Sequence, residues 1–250
     1  MKWLERITKI KNLITNGKTK PSMNLGKKIL VIAAHPDDEI LGCGGSMIKL
    51  KKKNNNIYTV FLSNGVSSRD LKNKKKEIIK RKKAAIKCNK FIKSKIINFF
   101  DYPDNKFDSV PFLNIVKDLE KIIKKYKPDT IFTHSDADLN IDHRLTLKAV
   151  VTACRPYAFE FIKTILSFEI PSSTEANFLK KQKKFQPNYF IDISKTLKKK
   201  IKAVKIYKDE LRIFPHPRSI RYIKSLSEVR GGSAGVESAE AFEVIRHVEK

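Results

Sequence analysis

No apolar run in this chain approaches the roughly 20 residues that span a bilayer. The opening residues, Met1 to Ile7, lack the apolar stretch and small-residue cleavage site of a signal peptide, so a cytoplasmic location is expected. Cysteine is scarce. Cys43, Cys88 and Cys154 stand far apart with no CxxC pair, and are read as reduced, partly buried thiols. Acidic residues are outnumbered, 26 Asp and Glu against 53 Lys and Arg, for a net charge of +27. Such a balance ordinarily points to nucleic acid or an anionic membrane. Arginine, the better bidentate phosphate reader, is sparse, however, and no aromatic-plus-arginine stacking pattern occurs. The excess is lysine spread along the chain, as at 51–53, 74–76 and 198–200. Nucleic acid is therefore not expected as a partner. The charge is read mainly as solvated background, and it admits peripheral contact with an anionic membrane.

What is present is a globular pattern. A chain of 250 residues with 41% hydrophobic content suits one large domain with a buried core. Residues 1–27 read as a basic extension: Trp3, Leu4, Ile7, Ile10 and Leu13 are spaced as on a short amphipathic helix, followed by a linker at 15–26. The domain is expected over 28–250. Residues 29–34 form a continuous apolar run, as in a strand buried on both faces. Further strands are expected at 57–62, 96–100, 130–134, 164–169 and 189–193. Helices are expected at 41–50, 73–88, 111–126, 142–154 and 195–207, and the C-terminal segment carrying His247 is also taken as helical. This alternation predicts an α/β fold, a Rossmann-like, mostly parallel sheet with helices on both faces.

Ligands bind such sheets outside the carboxyl ends of the strands. Two segments fall there: His35-Pro36-Asp37-Asp38-Glu39 after the first strand, and residues 134–143, ending in Asp142-His143, after the fourth. Helix capping by Asp37 or Asp38 would account for one acid. It does not account for a histidine and three acids packed at a strand end. His35 and Asp38 can converge on one ion, and zinc takes nitrogen and oxygen ligands of this kind. A catalytic zinc site commonly has three protein ligands, and His143 is the best candidate for the third. The alternative for that segment is Asp142 as a helix N-cap with His143 exposed.

These residues carry a family resemblance. His35 to Glu39 after the first strand and Asp142-His143-Arg144 after the fourth look like the PIG-L/LmbE family of zinc-dependent sugar N-deacetylases. Similar segments are Asn64-Gly65, Tyr102-Pro103-Asp104, Phe214-Pro215-His216-Pro217-Arg218, and Arg230-Gly231-Gly232 with the segment 239–242. The resemblance covers about 28–248. It implies one Zn2+ held by His35, Asp38 and His143, with Asp37 as general base. It implies a substrate that is an N-acetylated sugar, free or carried as a nucleotide sugar, glycolipid or glycan. Arg69, Asp104, Asn140 and Asp142 are carried over as substrate contacts. The reaction implied is hydrolysis of a non-peptide amide bond. One departure stands out: several relatives place a histidine three residues before the third ligand, and this chain has Asn140, which cannot shuttle a proton. His216, held between two prolines, is therefore a candidate to assist the leaving amine, and His134 is open to a structural or a functional role. Two rival functions are weighed beside this one. Asp136 and Asp138 form an Asp-x-Asp that could bind a metal and a diphosphate in a sugar-nucleotide transferase, and the basic surface could make the chain a nucleic-acid or anionic-membrane binding module.

Overall fold

The computed structural model describes residues 23–68 and 72–249. The expected amphipathic helix within 1–22 and the candidate Arg69 lie outside these residues.

Seven strands form one sheet: β1 (Lys28–Ala33), β2 (Asn56–Ser63), β3 (Lys95–Tyr102), β4 (Thr130–His134), β5 (Thr164–Phe168), β6 (Tyr189–Asp192) and β7 (Ala239–His247). Their order is β3-β2-β1-β4-β5-β7-β6. The five strands from β3 to β5 are parallel, while β7 runs antiparallel between β5 and β6. The helices are α1 (Asp38–Lys52), α2 (Lys74–Ile92), α3 (Phe112–Tyr126), α4 (Ile141–Ala153), α5 (Leu197–Val204) and α6 (Ile220–Ala234). The mostly parallel α/β sheet matches the expectation from the sequence. Two corrections concern the end of the chain: Ile220–Ala234 is a helix that received no assignment, and His247 lies in a strand, not a helix. The helix expected at 195–207 gives way after Val204 to a 3-10 segment, Lys205–Glu210.

The apolar run of β1 explains the layering. Side chains alternate across a strand. Ile29, Val31 and Ala33 enter a core shared with α1, α2, α5 and α6, while Leu30 and Ile32 enter a second core shared with α3 and α4. Helices thus cover both faces, and the sheet interior is dry on each side.

The connection from β1 proceeds to β2 on one side, and β4 joins β1 on the other. The chain order reverses at this point, so a crevice opens beyond the carboxyl ends of β1 and β4. α1 begins immediately, with Asp38 and Glu39 in its first turn. The helix is broken at Cys43, where φ is −139°. The carboxylate of Glu240 in β7 accepts the freed backbone N–H groups of Gly45 and Ser46 at 2.8 and 2.7 Å, and Lys200 donates to Glu240 at 2.6 Å. This buried ion pair ties the kink in α1 to the opposite half of the sheet.

Candidate metal centre

The end of β1 places His35, Asp37 and Asp38 in a turn that carries strain. Asp37 has φ 114°, in the left-handed region that residues with a Cβ rarely adopt. It occupies the N-cap position of α1 but makes no side-chain cap. Helix capping therefore does not account for this acid. Its N–H is held instead by Glu39 Oε2 at 3.0 Å. Gly65, at φ +68°, lets the loop after β2 approach closely, since a Cβ there would stand 3.0 Å from His35 Cβ.

His143 enters from α4. The N-cap of that helix is Asn140, not Asp142: Asn140 Oδ1 accepts the Asp142 N–H at 2.8 Å. His143 is buried, so the reading of an exposed first-turn residue does not hold. Asp38 Oδ2 lies 3.3 Å from His35 Nδ1 and 3.4 Å from His143 Nε2, and the two ring nitrogens are 3.4 Å apart. One ligand atom from each of the three residues falls within 4.8 Å of the others. Asp38 Oδ1 is buried without a hydrogen-bond partner. A carboxylate with one oxygen beside two imidazole nitrogens and the other buried without a partner is part of a donor set that suits a divalent cation. His35 also joins Asp104 and Asp142 in a second ligand-capable group through its other nitrogen. There the acids are already occupied as hydrogen-bond acceptors, which favours the Nδ1 side for a metal.

Those acids orient the ring. His35 Nε2 stands 3.0 Å from Asp142 Oδ2 and 3.1 Å from Asp104 Oδ1. Asp142 also accepts the backbone N–H groups of Asn105 at 2.6 Å and Phe107 at 3.0 Å, and is fully buried. Asp104 Oδ2 accepts the Ser68 hydroxyl at 2.6 Å. Asp142 and Asp104, expected from the sequence to meet substrate, thus spend their oxygens on the protein. Asp138 does the same for the other ligand: its Oδ2 lies 3.1 Å from His143 Nδ1 and accepts from Ser173 and Thr174. Each histidine therefore has a carboxylate behind it, the arrangement that fixes tautomer and ring direction in metal sites. Asp136, exposed, pairs instead with Lys183, so Asp136 and Asp138 do not converge as a transferase Asp-x-Asp would require. His134 is buried with its ring stacked 4.0 Å from that of His143. Its Nε2 accepts the Ala34 N–H at 2.9 Å, and its Nδ1 is buried without a hydrogen-bond partner.

The charges follow from these contacts. Burial pushes His35 down, but hydrogen bonds to the Asp104, Asp142 and Asp38 carboxylates outweigh it and hold the ring well above the usual histidine range. His143 is raised to about 9, burial being overcome by Asp138 and Asp38. Asp38 lies well below the carboxylate range: burial opposes this, and His143 and His134 prevail. Glu39 is pushed up to about 7 by burial, against the Tyr207 hydroxyl that donates to it at 2.6 Å.

Asp37 stands apart from this cluster, between two arginines. Arg81 Nη2 lies 2.9 Å from Asp37 Oδ1, and Arg218 Nη1 lies 2.8 Å from Asp37 Oδ2. Arg81 also holds the Pro36 carbonyl at 3.0 Å, and Arg218 donates to Ser172 Oγ at 2.8 Å. Glu210 faces both arginines. Burial raises the Asp37 carboxyl, and the pull of Arg218 and Arg81 does not cancel the rise. His216 is exposed, and its Nδ1 accepts the Arg218 backbone N–H at 3.0 Å. The 211–219 loop does reach the β1 turn, but the side chain that makes the contact is Arg218. Asn140 is partly exposed, with Nδ2 on Asn105 Oδ1 at 3.0 Å. Arg81, Arg218 and the supporting role of Asp138 escaped the reading of the sequence. The one available signal was an arginine closing the proline-rich segment 214–218.

A buried His-Asp-His cluster that could hold a metal ion thus lies at the switch point of a doubly wound sheet, beside an acid that is not part of it. The chain belongs to the PIG-L family, whose model, described as GlcNAc-PI de-N-acetylase, matches residues 30–154. An uncharacterized deacetylase of Escherichia coli K12, YaiS, is 32% identical over 157 residues, which is 61% of this chain and 78% of that protein. A diacetylchitobiose deacetylase of Thermococcus kodakarensis is 25% identical over 235 residues, 88% of this chain and 83% of that protein. The solved structure of N,N'-diacetylchitobiose deacetylase from Pyrococcus horikoshii superposes with a TM-score of 0.74 at 20% identity, covering 97% of this chain and 92% of that one. Among the described residues no helix is long and apolar enough to cross a membrane.

Proposed function

We propose that this chain hydrolyses the acetamide of an N-acetylated sugar at a zinc centre held by His35, Asp38 and His143, with Asp37 as the general base. The observation that carries the reading is the division of labour between adjacent acids. Asp38 sets Oδ2 within 3.3 and 3.4 Å of two histidine nitrogens and leaves Oδ1 buried without a partner, while Asp37 turns away to Arg81 and Arg218. Two nitrogens and one oxygen favour Zn over the oxygen-preferring Mg or Mn. When bound, such an ion supplies Lewis-acid polarisation of the amide carbonyl and eases deprotonation of water.

The chain's own residues do the rest. Asp37 accepts a proton from the attacking water, and its raised pKa makes it a better base than a solvated aspartate. The departing amine needs a proton, because an amide anion is too basic to leave. Asn140 has no proton to give and His216 is engaged at an exposed loop, so Asp37 returns the proton it took. Asp142, Asp104 and Asp138 keep the ligand rings aimed. The relatives named for diacetylchitobiose support an amino-sugar substrate, and the family description supports an N-acetylglucosamine group in particular.

The direct test is an acetate-release screen over free N-acetylglucosamine, N,N'-diacetylchitobiose, nucleotide sugars and glycolipids, with zinc present. Release of acetate from one or more of these, lost on chelation and restored by zinc, is expected. No release from any would overturn the reading.

A further inference from the structure

Three loops meet around the metal centre: 135–140 after β4, 169–188 after β5, and 211–219 before α6. They are tied into one rim. The Leu139 N–H donates to the Ser173 carbonyl at 3.2 Å, Asn177 Nδ2 to the Ala137 carbonyl at 3.1 Å, and Arg218 Nε to Ser172 Oγ at 2.8 Å. From this rim large apolar side chains project into solvent. Phe178 is 85% exposed and Leu179 52%; Ile213 is 89% exposed and Phe214 46%. A single exposed Leu is ordinary, but adjacent pairs at the tips of two joined loops are not.

Cations stand next to these tips, while the exposed acids of the rim loops, Glu175 and Asp136, lie further along the chain, Asp136 being paired with Lys183. Lys180 and Lys181 follow Phe178-Leu179 directly and are exposed. Arg212 precedes Ile213, and the Arg221 guanidinium lies 4.2 Å from the centre of the Phe214 ring. Two kinds of apolar surface could cover such tips, a second copy of the chain or a lipid layer. A second copy would press lysine against lysine in a protein of net charge +27. An anionic lipid surface would neutralise the lysines while taking up the apolar tips.

We propose that this rim docks on an anionic membrane surface, with Phe178, Leu179 and Ile213 entering the headgroup boundary and Lys180 and Lys181 pairing with anionic headgroups. The docking rests on the rim alone. Its use, presenting the metal centre to membrane-borne N-acetylated sugars, rests on the deacetylase reading above. Each lysine near such a surface strengthens binding about fivefold, and each apolar side chain buried adds about tenfold or more. Tyr157 is a built-in control. It is 98% exposed, but it precedes β5, in the connection from α4 that leads to the amino end of that strand, away from the rim.

The test is co-sedimentation of the full chain with vesicles of phosphatidylcholine alone or mixed with phosphatidylglycerol, beside a soluble acetate-release assay. The wild type is expected to bind the anionic vesicles and to leave the neutral ones. Phe178→Asp with Leu179→Asp, and Lys180→Ala with Lys181→Ala, are each expected to weaken binding at least about twentyfold. Tyr157→Asp should bind as wild type, and all three variants should keep their turnover of a soluble sugar. Anionic-vesicle binding that is absent, or unchanged in both double variants, overturns the proposal. So does loss of soluble-sugar turnover in the Phe178/Leu179 variant, which would place the tip in the sugar pocket. A wild-type dimer in solution that the same variant dissolves would assign the rim to a second copy and also overturn it. Vesicle binding without acetate release from any sugar would leave the docking intact and sink the deacetylase reading instead.

Discussion

Arg218 reaches across 181 positions of sequence to place Nη1 2.8 Å from Asp37 Oδ2. Three loops meet in that contact, because the same guanidinium donates to Ser172 and faces Glu210. It holds a carboxylate whose backbone is strained, and a strained residue keeps its place only while its surroundings over-determine it. Arg218→Ala is expected to lower kcat by roughly 10- to 100-fold, the cost of a misplaced catalytic group, with metal content intact. Arg218→Lys should recover only part, since an ammonium cannot reproduce the fork of contacts. Kinetics on protein of measured zinc content decide it. Unchanged turnover in the alanine variant would remove Arg218 from any positioning role.

Asp37→Asn is expected to retain the metal while losing about 10²–10⁴ in turnover, the usual effect of removing a general base. The amide keeps the shape and can still contact one arginine. Near-normal rates in a zinc-loaded variant would exclude Asp37 as the base.

Removing a ligand and removing its support should look different. His143→Ala is expected to abolish stoichiometric metal binding. Asp142→Asn keeps every ligand but weakens the hold on His35 Nε2, and is expected to cost about 10- to 100-fold in metal affinity. Competition against a chromophoric chelator measures both. Equal losses in the two variants would contradict the assignment of Asp142 as a supporting acid.

The Lys200–Glu240 pair is buried and remote in sequence from the ligands. Lys200→Ala leaves Glu240 without its cation, and breaking a buried pair costs on the order of 3–5 kcal/mol. Urea unfolding should show a shift in unfolding free energy of that size. A shift below about 1 kcal/mol, the range of exposed pairs, would mean that the pair is solvated in solution.

The His35, Asp38 and His143 cluster was legible in the sequence because ligand chemistry, strand ends and local spacing all coincide at residues 35–39 and 142–143. Helix and strand order was legible from patterning: β1 is apolar at every position after Lys28, and α3 carries one apolar stripe. Arg81 was not, because it sits among lysines in α2, where a cation reads as solvent-facing. Its burial is decided by Asp37 and Glu210, which are distant in sequence. β7 was missed for a related reason. Glu240 and Glu243 look like exposed residues, yet they are buried against Lys200 and against Ser135 and Ser167. The reach of Asp138 behind His143 is likewise a tertiary fact, set by the turn that brings Ser173 and Thr174 over the loop.

The placement of β7 also sets an order of assembly. It lies between β5 and β6, both of which are made before it, so those strands cannot meet their partner until residues 239–247 have left the ribosome. β1 to β4 pair among themselves and need no strand later than β4 to do so. Because Glu240 arrives with β7 and closes the break in α1 at Gly45 and Ser46, the helix that carries Asp38 is secured only at that late stage. A chain cut short before β7 would hold every proposed ligand in sequence and lack the Glu240 contacts that brace α1.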